Sequence, residues 1–172
     1  MPRLKGLRVV RSRIEGFGVV ATRRFKRGAV IADVEGVLWR TPERRDDTWS
    51  LVLDDGVFFD MVDQTRWVNH SCDPNVVIEA GVTQRGHGWA QLQALRDIAP
   101  GEELTFDYAF DAAVAEPCRC GAAGCRGWII APGLTPPTDK PSSARGRRAT
   151  TGRSTRGPSR SPLARASRAS RG

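Results

Sequence analysis

The sequence predicts a mainly β domain of small, curved sheets, followed by a basic tail that has no core of its own. Three observations carry that reading. Short runs of β-branched and aromatic residues, mixed with charges at near-alternate positions, recur through the first 110 residues. Glycines cut these runs into pieces too short for long helices. All five Trp, all six Phe and the single Tyr lie before residue 134.

The runs follow in order. Residues 7–14 (LRVVRSRI), 18–24 (GVVATRR), 29–38 (AVIADVEGVL) and 57–62 (VFFDMV) read as strands, with Gly6, Gly16, Gly18, Gly28, Gly36 and Gly56 as breaks. Residues 76–83 and 88–95 flank a Gly-rich turn at 86–88 and predict a hairpin. A loop at 97–103 then leads into a strand over 104–110, and residues 41–49 and 111–116 are candidate short helices. No repeat of 20–50 residues is present, which excludes a solenoid.

The chain has 172 residues, 40% apolar and 27% charged, with a net charge of +8. This suits one globular domain and excludes a collagen, a coiled coil or a membrane protein. Residues 1–133 hold 17 Lys+Arg against 18 Asp+Glu, whereas 134–172 hold 10 against 1, so the basic character belongs to the tail. With two Leu and no aromatic residue, the tail buries too little apolar surface to offset its ordering entropy, and it is predicted to be disordered. No apolar run approaches the roughly 18 residues of a membrane span, and the N-terminus lacks the apolar stretch of a secretory signal. The expected compartment is cytoplasmic, where four cysteines suggest thiols or a metal more readily than two disulfides.

Cys118, Cys120 and Cys125 lie in PCRCGAAGC, a CxC followed by a Gly-rich loop and a third Cys. That spacing can place three thiolates around one ion. A tetrahedral zinc needs a fourth ligand, and Cys72 is the only remaining cysteine; four thiolates would make the site structural. Four unligated thiols and a disulfide pair are the competing readings.

Two further segments stand out. In RWVNHSCDPN (66–75), Asn69, His70, Asp73 and Asn75 can pin turns, and Pro74 fixes φ. A His beside Ser and Cys does not supply the oriented base of a catalytic triad, so hydrolase chemistry is disfavoured. In GEELTFDYAF (101–110), Tyr108 can deliver a phenol hydroxyl into a pocket, or simply pack.

Read in order, EGFGVVATRRFKRGAVI, RWVNHSCDPN, LRDIAPGEELTFDYAF and CRCGAAGCRGWI resemble a SET-domain protein lysine methyltransferase with its post-SET zinc segment, over roughly residues 5–130. The resemblance implies a β-clip-type fold with a C-terminal pseudoknot, a SET domain over 1–114, a post-SET zinc-binding segment over 115–133 and the tail over 134–172. It implies S-adenosylmethionine against the backbone of Glu15, Gly16, Phe17 and Gly18, contacted by Asn69, His70 and Tyr108 and covered by Trp128 or Ile129. One structural zinc would be held by Cys72, Cys118, Cys120 and Cys125. Tyr108 matches the catalytic Tyr, and Phe106 lies where the number of methyls is tuned. Where many members carry Tyr-x-Gly, this chain has Val34-Glu35-Gly36, so a second phenol of the substrate channel is missing.

The implied chemistry is methyl transfer to a neutral lysine amine. Deprotonating a Lys of pKa about 10.4 at pH 7 costs about 4.6 kcal/mol, which an apolar channel and a neighbouring sulfonium both reduce. Arginine, with a pKa above about 12, is a poorer substrate. Phe106 lacks a hydroxyl that would hold a channel water, so dimethyl or trimethyl product is expected.

The expected partner is a protein or peptide with a target lysine, histone or nucleoid-type, met as a monomer and away from membranes. Contact with nucleic acid through 134–172 would place the protein at chromatin or nucleoid, although without aromatic residues the tail offers no base stacking. Two alternatives stay open: a catalytically weak SET-like module that binds cofactor or peptide, and an interaction protein tethered to nucleic acid.

Overall fold

The computed structural model describes residues 4–41 and 49–137, together with the backbone of 164–165 and 167–168. Its first sheet joins distant parts of the chain. β1 (Leu7–Arg11) and β2 (Phe17–Ala21) form an antiparallel pair with Leu7 opposite Ala21 and Arg11 opposite Phe17. On its other edge β2 pairs with β10 (Glu103–Phe106), which itself runs parallel to β7 (Asn69–His70). Enclosed between two neighbours, Gly18-Val19-Val20-Ala21 is buried without alternation.

The second sheet joins β4 (Gly36–Arg40), β5 (Ser50–Asp54) and β6 (Val57–Met61), with β6 in the middle and antiparallel to both. Asp55-Gly56 closes the β5–β6 hairpin, with Gly56 at φ +63°, a left-handed value that a tight hairpin requires. The Ser50 hydroxyl donates to the buried Asp60 carboxylate across this pair.

In the third sheet, β8 (Val76–Val82) and β9 (Gly88–Ala94) form the predicted hairpin in register from Val76–Ala94 to Val82–Gly88, and β3 (Val30–Asp33) adds to β9. Alternation holds here: Val76, Ile78 and Ala80 of one strand and Ala90, Leu92 and Ala94 of the other are buried, while the residues between them are not. These side chains meet Val19, Leu51, Phe59, Leu104 and Phe106 in one core. A two-stranded ribbon of β11 (Glu116–Pro117) and β12 (Trp128–Ile129) closes the C-terminal side.

Several boundaries differ from expectation. The first strand stops at Arg11, where Ser12 N–H donates to the Gly16 carbonyl and turns the chain. The run 29–38 divides at Val34–Glu35, because the Glu35 amide donates to Asp63 instead of a strand partner. The strand expected over 104–110 ends at Phe106; Asp107–Phe110 leaves the sheet through Ala109, at φ +49°, whose amide is held by the Asp107 carboxylate. Residues 111–116 hold a single 3-10 turn, Ala112–Val114, without a side-chain cap. A further 3-10 turn, Gln64–Trp67, is capped by Asp63 and had no sequence signal strong enough to be anticipated. Most of the candidate helix 41–49 lies outside the described residues.

Most of the tail also lies outside the described residues. Two short described pieces of it pair with the folded domain. β13 (Ala164–Arg165) runs parallel to β5, and β14 (Ser167–Arg168) runs parallel to β8. Backbone pairing with a sheet edge needs no apolar side chain, which is why composition did not reveal it. Among the described residues, no helix is long and apolar enough to cross a membrane.

Candidate active site and metal centre

Asn69 organises the site. Its side-chain amide donates to the carbonyls of Glu15 (3.2 Å) and Phe17 (2.9 Å) and to Glu103 (3.0 Å), so it clamps the Glu15–Phe17 turn against β10. Gly18 follows that turn in close packing, and a Cβ there would collide with the Glu103 carboxylate. Asn75 completes the attachment of the 69–75 loop: its side chain donates to the Glu103 carbonyl at 2.8 Å and accepts from the Thr105 amide at 2.9 Å. The loop and the C-terminal stretch are thereby held together along β10.

Next to this crossing lies a cavity of about 420 Å³, whose wall includes Glu15, Gly16, Phe17, Asn69, His70, Tyr108 and Ile129. The structure thus brings together most of the residues singled out from the sequence. Four take other positions. Phe106 is buried behind Tyr108, ring centroids 4.7 Å apart. Trp128 is buried beside Ile129 without lining the cavity, and Gly18 sits behind the turn. Val34 belongs to the core and borders a separate cavity between β3, β5, β8 and β9.

Tyr108 is held from two sides. Its hydroxyl donates to the Val68 carbonyl at 2.9 Å, and its amide donates to His70 Nδ1 at 3.2 Å. Burial, with the Glu116 carboxylate second, pushes the phenol well above its ordinary value, so it stays protonated. Burial also pushes the His70 imidazole down to about 4, against the pull of Asp107, which leaves a neutral ring whose Nδ1 accepts. Asp107 is engaged by Arg126, whose Nη2 donates to both carboxylate oxygens (2.7 and 2.8 Å) and to the Ile130 carbonyl (2.9 Å).

Sequence reasoning missed the rest of the wall. Trp49, Arg66 and Trp67 stack at the cavity, with the guanidinium 4.7 and 4.9 Å from the two ring centroids, and Trp67 meets Phe17 at 5.5 Å. Such alternation of cation and aromatic rings stabilises the wall, but Trp49 is far from Arg66 in sequence and no local pattern marks it. Glu116, also in the wall, has its carboxyl raised by burial. The exposed ion pair of Arg119 and Glu15 (3.1 Å) spans the rim.

The four cysteines converge. Cys72, Cys118, Cys120 and Cys125 place their Sγ atoms within 4.8 Å of one another, and Cys72 and Cys118 are 3.7 Å apart. A tetrahedral zinc with Zn–S bonds of roughly 2.3 Å has S···S edges of roughly 3.8 Å. Backbone amides face the sulfurs: Arg126 N lies 3.4 Å from Cys72 Sγ, Gly127 N 3.4 Å from Cys125 Sγ, and Cys72 N 3.5 Å from Cys120 Sγ. This donor set and its size fit a four-thiolate metal centre. His70 Nε2 lies 3.4 Å from Cys72 Sγ, so one histidine touches both the cysteine cluster and the Tyr108 backbone.

The SET domain family matches residues 16–109. The chain is 33% identical over 145 residues to "Histone-lysine N-methyltransferase, H3 lysine-4 specific" of Cryptococcus neoformans, covering 74% of this chain and 10% of that protein. It is 34% identical over 140 residues to human "Histone-lysine N-methyltransferase 2B", covering 70% and 5%. An H3 lysine-9 specific enzyme of Schizosaccharomyces pombe is 30% identical over 165 residues, covering 72% and 33%. The chain therefore spans a third or less of these relatives. Among solved structures, KRYPTONITE in complex with mCHG DNA and SAH superposes with a TM-score of 0.63 at 27% identity, covering 75% of this chain and 30% of that one. The complex with mCHH DNA, H3(1-15) peptide and SAH gives 0.64 at 26% identity, with the same coverage.

Proposed function

This chain belongs to the SET-domain family, and from that premise we propose that it is an S-adenosylmethionine-dependent protein-lysine N-methyltransferase. The observation that carries the reading is the position of Tyr108, a protonated phenol fixed at the wall of a cavity that also holds the Glu15–Phe17 turn, Asn69 and His70.

Glu15, Gly16, Phe17, Asn69, His70 and Ile129 would hold the methyl donor. When bound, S-adenosylmethionine supplies an electrophilic methyl on a sulfonium, whose C–S electron pair stays with sulfur as the lysine nitrogen takes the methyl. The chain's own part is to position a neutral amine. Phe106, Tyr108 and Phe110 form a chain of rings at 4.7 and 5.5 Å that excludes water and so favours the uncharged amine. The Tyr108 hydroxyl and the Val68 carbonyl it bonds are polar groups that can orient the nitrogen, and a phenol held protonated does not act as the base. The lysine ammonium sheds its proton to water before transfer, and the methylated product leaves as an ammonium.

The cysteine cluster would hold one structural zinc, tying the segment from 116 to 130 to the 69–75 loop and so keeping Ile129 at the cavity. The substrate class is a lysine-bearing protein; the histone specificity in the relatives' names makes basic, chromatin-type proteins the first to try.

The test is methyl transfer from labelled S-adenosylmethionine to histones, other basic proteins and free peptides, wild type against Tyr108→Phe. Transfer to lysine that falls by about 100-fold or more in the variant supports the reading. Wild-type transfer that survives the substitution, or donor binding with no transfer to any substrate, overturns it.

A further inference from the structure

Among the described residues of the folded domain, β5 and β8 each have one neighbour, β6 and β9 respectively. Their outer edges are taken up by one short piece of the tail. Ala164 and Arg165 pair in parallel with Leu51 and Val52, and two residues further on Ser167 and Arg168 pair in parallel with Glu79 and Ala80. An extended chain can hydrogen-bond on both sides, and two neighbouring short strands here serve one edge each. The tail thereby joins the sheet β4–β6–β5 to the sheet β8–β9–β3.

The position of this slot relates it to the site. Trp49, immediately before β5, lines the Tyr108 cavity. Because β13 runs parallel to β5, its upstream end lies on the Trp49 side. At the other end, Ala80 borders the separate cavity that includes Asp33, Val34 and Asp54.

We infer that the outer edges of β5 and β8 form a strand-addition slot, that Ala164–Arg165 and Ser167–Arg168 fill it in cis, and that an extended peptide entering the slot must displace them. Main-chain pairing supplies the affinity, as it does wherever a peptide adds to a sheet edge. Tethering supplies the advantage, since a covalently linked segment reaches effective concentrations of the order of mM. The slot itself stands on the backbone pairing alone. Only the competition with substrate rests on the methyltransferase reading.

The test uses the full chain carrying Arg165→Pro and Ser167→Pro, which remove the backbone N–H groups of two paired residues. Arg153→Pro, elsewhere in the tail, is the control. Hydrogen exchange of fragments covering 50–54 and 76–82 is read first: the double variant should lose protection about 10-fold or more at the outward-facing amides, and the control should not. Unchanged protection overturns the slot. Methyl transfer to a lysine peptide is read second, with KM expected to fall about 3- to 10-fold and kcat to hold. A peptide of residues 160–172 added to the double variant should then compete with the substrate peptide and not with S-adenosylmethionine. Lost protection with unchanged KM overturns the competition, and absence of transfer in every variant overturns the methyltransferase reading while the exchange result still decides the slot.

Discussion

Replacing Arg126 by Met removes the connection between the cysteine segment and the turn that carries Tyr108. The guanidinium gives two hydrogen bonds to Asp107 and one to the Ile130 carbonyl, from a pair whose side chains are 23% and 21% exposed. Breaking a fully buried ion pair costs about 3–5 kcal/mol, and the partial access of water here brings the expected loss to about 2–3 kcal/mol. For a domain of this size that lowers Tm by about 6–12 °C. The loss extends to the site, because the same Asp107 carboxylate accepts from the Ala109 amide at 3.1 Å and so holds the left-handed turn beside Tyr108. Urea unfolding and methyl transfer measured on Arg126→Met and Arg126→Lys separate charge from geometry. A lysine keeps the charge but cannot span the carboxylate and the Ile130 carbonyl together, so Arg126→Lys should lose at least about half as much stability. Stability unchanged to within about 0.5 kcal/mol in the Met variant, or fully restored in the Lys variant, refutes the role given to this pair. Lower stability with transfer intact refutes its role in placing Tyr108.

Other outcomes follow from the same geometry. The buried ring of Phe106 packs on Tyr108, so wild type should give dimethyl or trimethyl lysine and Phe106→Tyr should shift the product toward monomethyl; a mass spectrum of purely monomethyl product from wild type contradicts this. The phenol of Tyr108 is pushed upward and stays neutral, while the substrate amine loses its proton as pH rises; kcat/KM should therefore climb between pH 7 and 9 with no falling limb from Tyr108, and a decline over that range in a stably folded enzyme counts against the assignment. Metal analysis should return about one zinc per chain, and Cys72→Ser should lose it as fully as Cys118→Ser. Full zinc retention in Cys72→Ser breaks the proposed link between the two segments.

Local signals carried much of the architecture. Alternation over 76–83 and 88–95 announced the hairpin because one of its faces packs on the core and the other does not, and the glycine breaks marked short strands that the sheets indeed contain. Alternation was silent for β2, which is buried on both faces, and misleading past Phe106, where His70 takes the Tyr108 amide and the Asp107 carboxylate takes that of Ala109, which ends the strand. The CxC spacing marked three sulfurs, while the approach of Cys72 to them depends on a loop pinned by Asn75 to β10.

The sequence by itself determined where the core could form, which motifs were present and in what order, and that the positive charge resides after residue 133. These are properties of spacing and composition, and they need no knowledge of distant neighbours. Only the tertiary structure decided that Trp49, Arg66 and Trp67 share a wall, that Asp107 and Arg126 fasten the cysteine segment to the Tyr108 turn, and that Ala164–Arg165 and Ser167–Arg168 add strands to two sheet edges. Each is a contact between segments far apart in the chain, made through backbone edges or single side chains. Such contacts leave no periodic trace, because their partners are selected by the packing of the whole domain and not by the residues beside them.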